Sequence, residues 1–194
     1  VYWHAKHLQL ACCAEVMEYR GDKWFQIADP VTAFLGTISQ FVLRSMQYDK
    51  IIAISDFTRG ELERAGWESR LLTTVPCGVD YVAYQNQQNR IRNDNTLIYI
   101  ARLVRSKGHR LLFDALALIK SDIPTVRTYI VGDGPLRLEL ESYVHQKGLA
   151  SHVIFTGRRD VQATILLLWE TSVFVMPSLQ EGFGLVLLED QKNQ

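Results

Sequence analysis

The 194-residue chain has no run of about 18 apolar residues, and its first residues lack the basic-then-apolar order of a leader. Neither a membrane span nor a signal peptide is therefore expected. Cysteine is scarce: Cys12, Cys13 and Cys77 are odd in number and show no metal-site spacing, and adjacent cysteines rarely pair with each other. A reduced, cytoplasmic compartment follows as the expectation. Neither sign of charge is in excess, since Lys plus Arg equals Asp plus Glu at 21 each. A zero net charge excludes a global attraction to nucleic acid or to an anionic membrane, so any anion site must be local. No G-x-G-x-x-G follows an early strand, which argues against an NAD-linked dehydrogenase. What is present is ordinary globular composition, 47% apolar and 22% charged, enough for one large core or two small ones. The chain opens on Val and closes on QKNQ directly after a helix start, which predicts a fragment of a longer protein.

Hydrophobic spacing sets out the elements. Asp29-Pro30 is an N-cap followed by proline at the first helical position, and Val31, Phe34, Leu35, Ile38, Phe41 and Val42 continue at helical spacing. Before it, Leu8, Cys12, Val16 and Tyr19 give a weaker helical stripe. After it, KIIAIS from Lys50 is a short buried strand leading into a helix that Gly66 closes, and Leu71 to Val75 is another strand. From Tyr84 to Asn95 the sequence turns polar and apolar-poor, as a linker does, placing a domain boundary near residue 90. Beyond it strands and helices alternate: LIYIARL, a helix with Leu111, Leu112, Ala115, Leu116 and Ile119 inward, and VRTYIVG. A helix from Pro135 to Gly148, the strand HVIFTG, a helix carrying Val161, Ile165 and Leu168, and the strand SVFVMP follow. Such alternation implies right-handed βαβ units and a parallel sheet, whose ligands lie at the carboxyl ends of the strands.

Four strand ends in the second half carry candidate chemistry. The first is Arg102-Leu-Val-Arg-Ser-Lys107-Gly108, where an arginine able to bind phosphate bidentately and a mobile lysine charge fit a diphosphate. Alone, the same loop is equally a solvated basic turn. Gly132 in VGDGP admits close backbone approach, although by itself this is a tight turn. Arg158 in TGRR is as well explained by an exposed loop as by contact to a base. The fourth is PSLQEGFGLVLLE. If Glu181 to Glu189 were all helical, the eight-residue step would turn the second carboxylate roughly 80° from the first. If instead Glu181 sits in a loop and the helix starts near Gly184, both carboxylates point at one ligand across a helix N-terminus, whose free N–H groups attract phosphate. Gly182 and Gly184 would let Phe183 fold over that ligand. Glu189 alone is equally a solvent-facing helix charge.

In this order ARLVRSKG, VGDGPLRLELE, FTGRR and PSLQEGFGLVLLE resemble the nucleotide-sugar-binding domain of the family-4 retaining glycosyltransferases of GT-B fold, with the glutamate pair as that family's E-x7-E motif. Upstream, IIAISDFTRGELERAG and TTVPCGVD are similar to the closing segment of the acceptor-side domain, and before Lys50 the likeness is faint. The resemblance implies an α/β protein of two Rossmann-like parallel-sheet domains, both incomplete: residues 1–90 on the acceptor side and 91–194 on the donor side. It implies a retaining glycosyltransferase, hexosyl-transferring and inactive as this fragment alone, moving sugar from a nucleoside-diphosphate sugar to an acceptor hydroxyl. Arg102 and Lys107 would bind the diphosphate, Glu181 the sugar hydroxyls, Phe183 and Gly184 would lie along sugar and phosphates, Glu189 would hold the ribose, and Gly132 and Arg158 would lie near the nucleotide. Ala101 stands where the family often has Gly, and Cys77 where Asn is frequent.

No Asp-x-Asp pair is present and two cations can neutralise the diphosphate, so neither metal nor cofactor is expected. The acceptor, whether glycan, lipid or small molecule, is not written in these residues; nucleic acid is excluded as a partner, and membrane contact is at most peripheral, through segments outside the chain. His4 and His7 are acid/base candidates by position only, and surface histidines otherwise. A sugar phosphorylase of the same architecture and a non-catalytic nucleotide- or sugar-binding fragment are the alternatives.

Overall fold

The computed structural model describes residues 7–78 and 93–181. They divide into two compact units, one holding residues 7–78 together with Glu181, the other residues 93–180.

The first unit is built on three parallel strands in the order β1 (Cys13–Val16), β2 (Lys50–Ala53), β3 (Leu72–Thr74). The stripe Leu8-Cys12-Val16-Tyr19 thus yields a strand where its spacing predicts a helix. Pairing decides the matter, for Cys13 to Val16 lie in register with Lys50 to Ala53. A latch fixes that register: the Cys12 amide donates to the Asp49 carboxylate at 2.8 Å, and the Asp49 amide donates to the Cys12 carbonyl at 2.9 Å. Helix α1 (Trp24–Ile27) leads into α2 (Pro30–Ser45), where the Asp29 carboxylate accepts from the Thr32 amide at 3.1 Å and Pro30 takes the first position, as the sequence predicts. Helix α3 (Asp56–Arg64) is capped by Ser55, whose hydroxyl accepts from the Thr58 amide at 3.0 Å, and Gly66 at φ +83 closes it. Such caps stabilise a helix by about 1 kcal/mol each. Ile51, Ala53, Leu62 and Leu72 form the small core.

The second unit is a four-stranded, fully parallel sheet in the order β6 (Val153–Gly157), β5 (Arg127–Val131), β4 (Asn93–Ile100), β7 (Thr171–Phe174). Strand β4 starts at Asn93, so the last residues of the polar stretch expected as linker belong to the sheet. Helices α4 (His109–Ile119), α5 (Arg137–Gln146) and α6 (Val161–Glu170) connect the strands. Gly148 ends the segment after α5 at φ +63, and Asp160 caps α6 by accepting from the Ala163 amide at 2.7 Å. Helix α4 buries His109, Leu112, Phe113 and Leu116, while Leu111, Ala115 and Ile119, expected inward, are exposed. Both sets satisfy helical spacing. Phe113 selects between them, because its ring packs edge-on against Phe155 at 6.0 Å and its volume fills the space over the sheet. In α6 Ile165 and Leu168 are buried, whereas Val161 is exposed.

The chain steps from β4 to β5 to β6, then returns to the opposite side of β4 as β7. The strand order therefore reverses between β4 and β7. In open α/β sheets the crevice outside the carboxyl ends at such a reversal is where ligands bind.

Candidate functional site

The loop leaving β4 carries Arg102 and Lys107. It stays bonded to the sheet at first, with the Ala101 amide donating to Val131 and the Leu103 amide to Asp133, both at 3.0 Å. It then tightens into a 3-10 turn over Arg105–Lys107, closed by Gly108 in the left-handed region at φ 65, from which α4 starts. Leu103 and Ser106 face inward, which turns Arg102 and Arg105 to solvent and leaves Lys107 half-buried. Arg102 has no ion pair or side-chain hydrogen bond among the described residues. It is available to an anion.

The loop leaving β7 carries Pro177 to Gln180 and then Glu181. The Val175 amide donates to Ile98 at 2.9 Å, prolonging β7 along β4, and the Leu179 amide donates to the Ser106 carbonyl at 2.8 Å. The two loops are thus tied backbone to backbone at the sheet reversal. Their approach is close enough that a Cβ on Gly108 would stand 2.1 Å from the Pro177 carbonyl oxygen, so this position admits only glycine. Glu181 itself is half-buried and outside any regular element.

Gly132 follows β5 at φ +138, and a Cβ there would lie 2.0 Å from the Ala101 carbonyl oxygen. Its conformation is demanded by the neighbouring strand end, whatever else approaches it. Its amide donates to Gly157 at 2.9 Å, which brings the ends of β5 and β6 together. Arg158, beyond β6, is exposed. So Arg102, Lys107, Gly132 and Arg158 all sit at the carboxyl edge of one sheet, in the loops after β4, β5 and β6. Phe183, Gly184, Glu189 and His4 lie outside the described residues; His7 is exposed in the first unit.

Sequence reasoning missed three residues beneath these loops. Tyr99 is fully buried at the end of β4, and its hydroxyl donates to the Lys107 carbonyl at 2.5 Å. Ser178 places its hydroxyl 3.2 Å from the same phenol oxygen. His109, 2% exposed, packs against the Tyr99 ring with centroids 4.8 Å apart and the planes tilted by 44°, and neither ring nitrogen has a hydrogen-bond partner among the described residues. Burial, and then the charge of Lys107, lowers its pKa from 6.5 to about 4, so it is neutral at ordinary pH. The available signals were a tyrosine inside the otherwise aliphatic LIYIA and a histidine directly after Lys-Gly.

A cleft of about 620 Å³ opens in the first unit, lined by Arg44, Asp49, Glu68 and Arg70 among others. It lies at the amino ends of β2 and β3, the wrong end of a parallel sheet for a ligand site. Among the described residues no group of three His, Cys, Asp or Glu side chains is arranged to hold a metal, and no helix is long and apolar enough to cross a membrane.

A parallel α/β sheet with cations in the loops at its strand reversal offers a candidate anion site, and comparison with known proteins gives the family. Residues 83–193 match the model of glycosyl transferases group 1. The chain belongs to that family. It is 29% identical over 157 residues to the GDP-mannose-dependent alpha-(1-6)-phosphatidylinositol monomannoside mannosyltransferase of Mycobacterium tuberculosis, covering 73% of this chain and 41% of that protein. It is 26% identical over 190 residues to the phosphatidylinositol N-acetylglucosaminyltransferase gpi3 subunit of Schizosaccharomyces pombe, covering 96% of this chain and 40% of the relative. The chain thus spans about two-fifths of the length of these curated relatives. In structure it resembles Anabaena HepE, crystallised with UDP and glucose, at a TM-score of 0.81 and 20% identity, over 99% of this chain and 53% of that one. The GT-B architecture anticipated from the motifs is the fold of this chain.

Proposed function

We propose that the chain is part of a retaining glycosyltransferase that moves a sugar from a nucleoside-diphosphate sugar to an acceptor hydroxyl, and that its second half binds the donor. One observation carries this reading: the cationic loop after β4 and the loop running to Glu181 leave the sheet side by side where its strand order reverses. Residues 91–194 are assigned to donor binding and residues 1–90 to the acceptor side. The names of relatives that use GDP-mannose, and of a structural neighbour bound to UDP and glucose, support a nucleotide-sugar donor and leave its base open.

In this reading Arg102 and Lys107 hold the diphosphate. As the glycosidic bond breaks, negative charge grows on the leaving phosphate, and cations fixed beforehand stabilise that growth without reorganising. Losing one such group costs on the order of 3–4 kcal/mol, or about 10²–10³ in rate. The same two charges take the part a metal would play, so the reaction is assigned no metal or cofactor. Glu181 accepts from hydroxyls of the transferred sugar, Glu189 from the ribose, Phe183 and Gly184 line sugar and phosphates, and Gly132 and Arg158 border the nucleotide.

A thermal-shift panel of UDP, GDP, ADP and their sugars tests the assignment, since a ligand that binds only the folded chain raises its unfolding temperature by mass action. One base series should stabilise the chain, with release of the matching nucleoside diphosphate when the sugar donor turns over in the longer protein. No shift with any nucleotide refutes the donor site. Release of sugar phosphate from a glycan plus inorganic phosphate points to a phosphorylase instead.

A further inference from the structure

We infer that Tyr99 is a positioning residue that pins the diphosphate-binding loop and the loop to Glu181 into one geometry. The inference rests on the donor-site reading and adds to it the device that holds the site. Tyr99 has a single phenolic proton. That proton goes to the Lys107 carbonyl at 2.5 Å, so the contact with Ser178 at 3.2 Å must run the other way, with the serine hydroxyl donating to the phenol oxygen. One buried oxygen therefore joins three segments: the end of β4, the turn carrying Lys107, and the loop after β7.

The surroundings make the pin stiff. Tyr99 is fully buried, and the His109 ring, itself the first residue of α4, lies against it at 4.8 Å. Neutral and without hydrogen-bond partners among the described residues, His109 acts there as a packing wall. The Leu179 amide bond to Ser106 and the approach of Gly108 to Pro177 tie the same two loops on the backbone side. Lys107 itself is half-buried, so where its ammonium points depends on where its backbone is held. A 1 Å error in such a group weakens a charge-assisted contact far more than it weakens the fold.

The test replaces Tyr99 by Phe, which keeps the ring and removes only the hydroxyl. Calorimetric titration of the full chain with UDP and GDP separately should show about a tenfold weaker Kd for the nucleotide that binds, the loss of one hydrogen bond that fixes a binding group. Ser178→Ala should weaken it about threefold, Ser178→Thr should restore binding, and the double variant Tyr99→Phe with Ser178→Ala should lose no more than Tyr99→Phe alone. Hydrogen exchange should quicken together in segments 105–108 and 177–180 while β5 and β6 keep their protection. A merely structural tyrosine would lower the unfolding temperature and leave Kd unchanged. That result, or a Tyr99→Phe Kd within twofold of the unsubstituted chain while Lys107→Ala loses binding, overturns the pin and leaves the donor site standing. If Lys107→Ala also binds normally, or neither nucleotide binds the unsubstituted chain, the donor-site reading itself fails and the pin's role fails with it.

Discussion

Helices α2 and α4 carry the same kind of apolar spacing and come to opposite ends. In α4 the stripe through Leu112, Phe113 and Leu116 is buried on the sheet. In α2 the stripe through Val31, Phe34, Leu35, Ile38, Phe41 and Val42 faces outward, with Phe41 at 73% exposure, and the buried residues are Ala33 and Gly36. Small size decides here. Gly36 lies so close to Trp24 that a Cβ would sit 2.5 Å from its ring, an approach no larger residue allows. Periodicity therefore identifies a helix, but which face packs depends on what the neighbour can fit against. The two sheets differ likewise: strands of three or four residues over a small core in the first unit, and four strands over a continuous core from Tyr99 to Val153 in the second.

The largest expected effect that separates the two is on stability. Phe113→Ala should cost about 3–5 kcal/mol in denaturant unfolding of the second unit, because it deletes a fully buried ring from a packed core. A cost near zero would mean that this core is not what holds the sheet together.

A smaller effect should appear on acidification. His109 protonates near 6.5 when unfolded but only near 4 when folded, so between those values the unfolded chain binds more protons. Its neutral burial is fully tolerated above the upper value, and stability is lost as the pH falls toward the lower one. Thermal unfolding followed from about pH 7 down to about pH 4.5 should show a decline that His109→Phe flattens. An equal decline in that variant would assign the effect to other groups.

The smallest effect should come from α2. Phe41→Ser should change the stability of this chain by no more than about 0.5 kcal/mol, as for an ordinary surface position. A loss comparable to that of Phe113→Ala would show that the outward stripe is covered in solution.

How much of this was legible in the sequence follows the same division. The cap at Asp29, the closing glycines Gly66 and Gly148, and the βαβ alternation after residue 93 are local signals, and the structure carries each of them. Strand β1 was not legible, because its pairing with β2 and the Asp49 latch are set by residues 37 positions away. At the site, the charged residues Arg102 and Lys107 stood out for their chemistry. Tyr99 and Ser178 did not, for a hydroxyl that pins two loops looks in sequence like any tyrosine in a strand or serine after a proline. The glycine at 132 was legible as a special position and the one at 108 was not, and the backbone that each makes room for emerges only from the fold.

On the proposed reading an anionic donor sits at the carboxyl ends of β4 and β7 and not in the cleft of the first unit. Equilibrium titration with UDP and GDP of Arg102→Ala, Lys107→Ala and Arg70→Ala tests it most directly, Arg70 being a cation of that cleft. Arg102→Ala and Lys107→Ala should each lose at least about tenfold in affinity, as for a charge-assisted phosphate contact, and Arg70→Ala should leave it unchanged. Full affinity in Arg102→Ala and Lys107→Ala, with loss confined to Arg70→Ala, would contradict that reading.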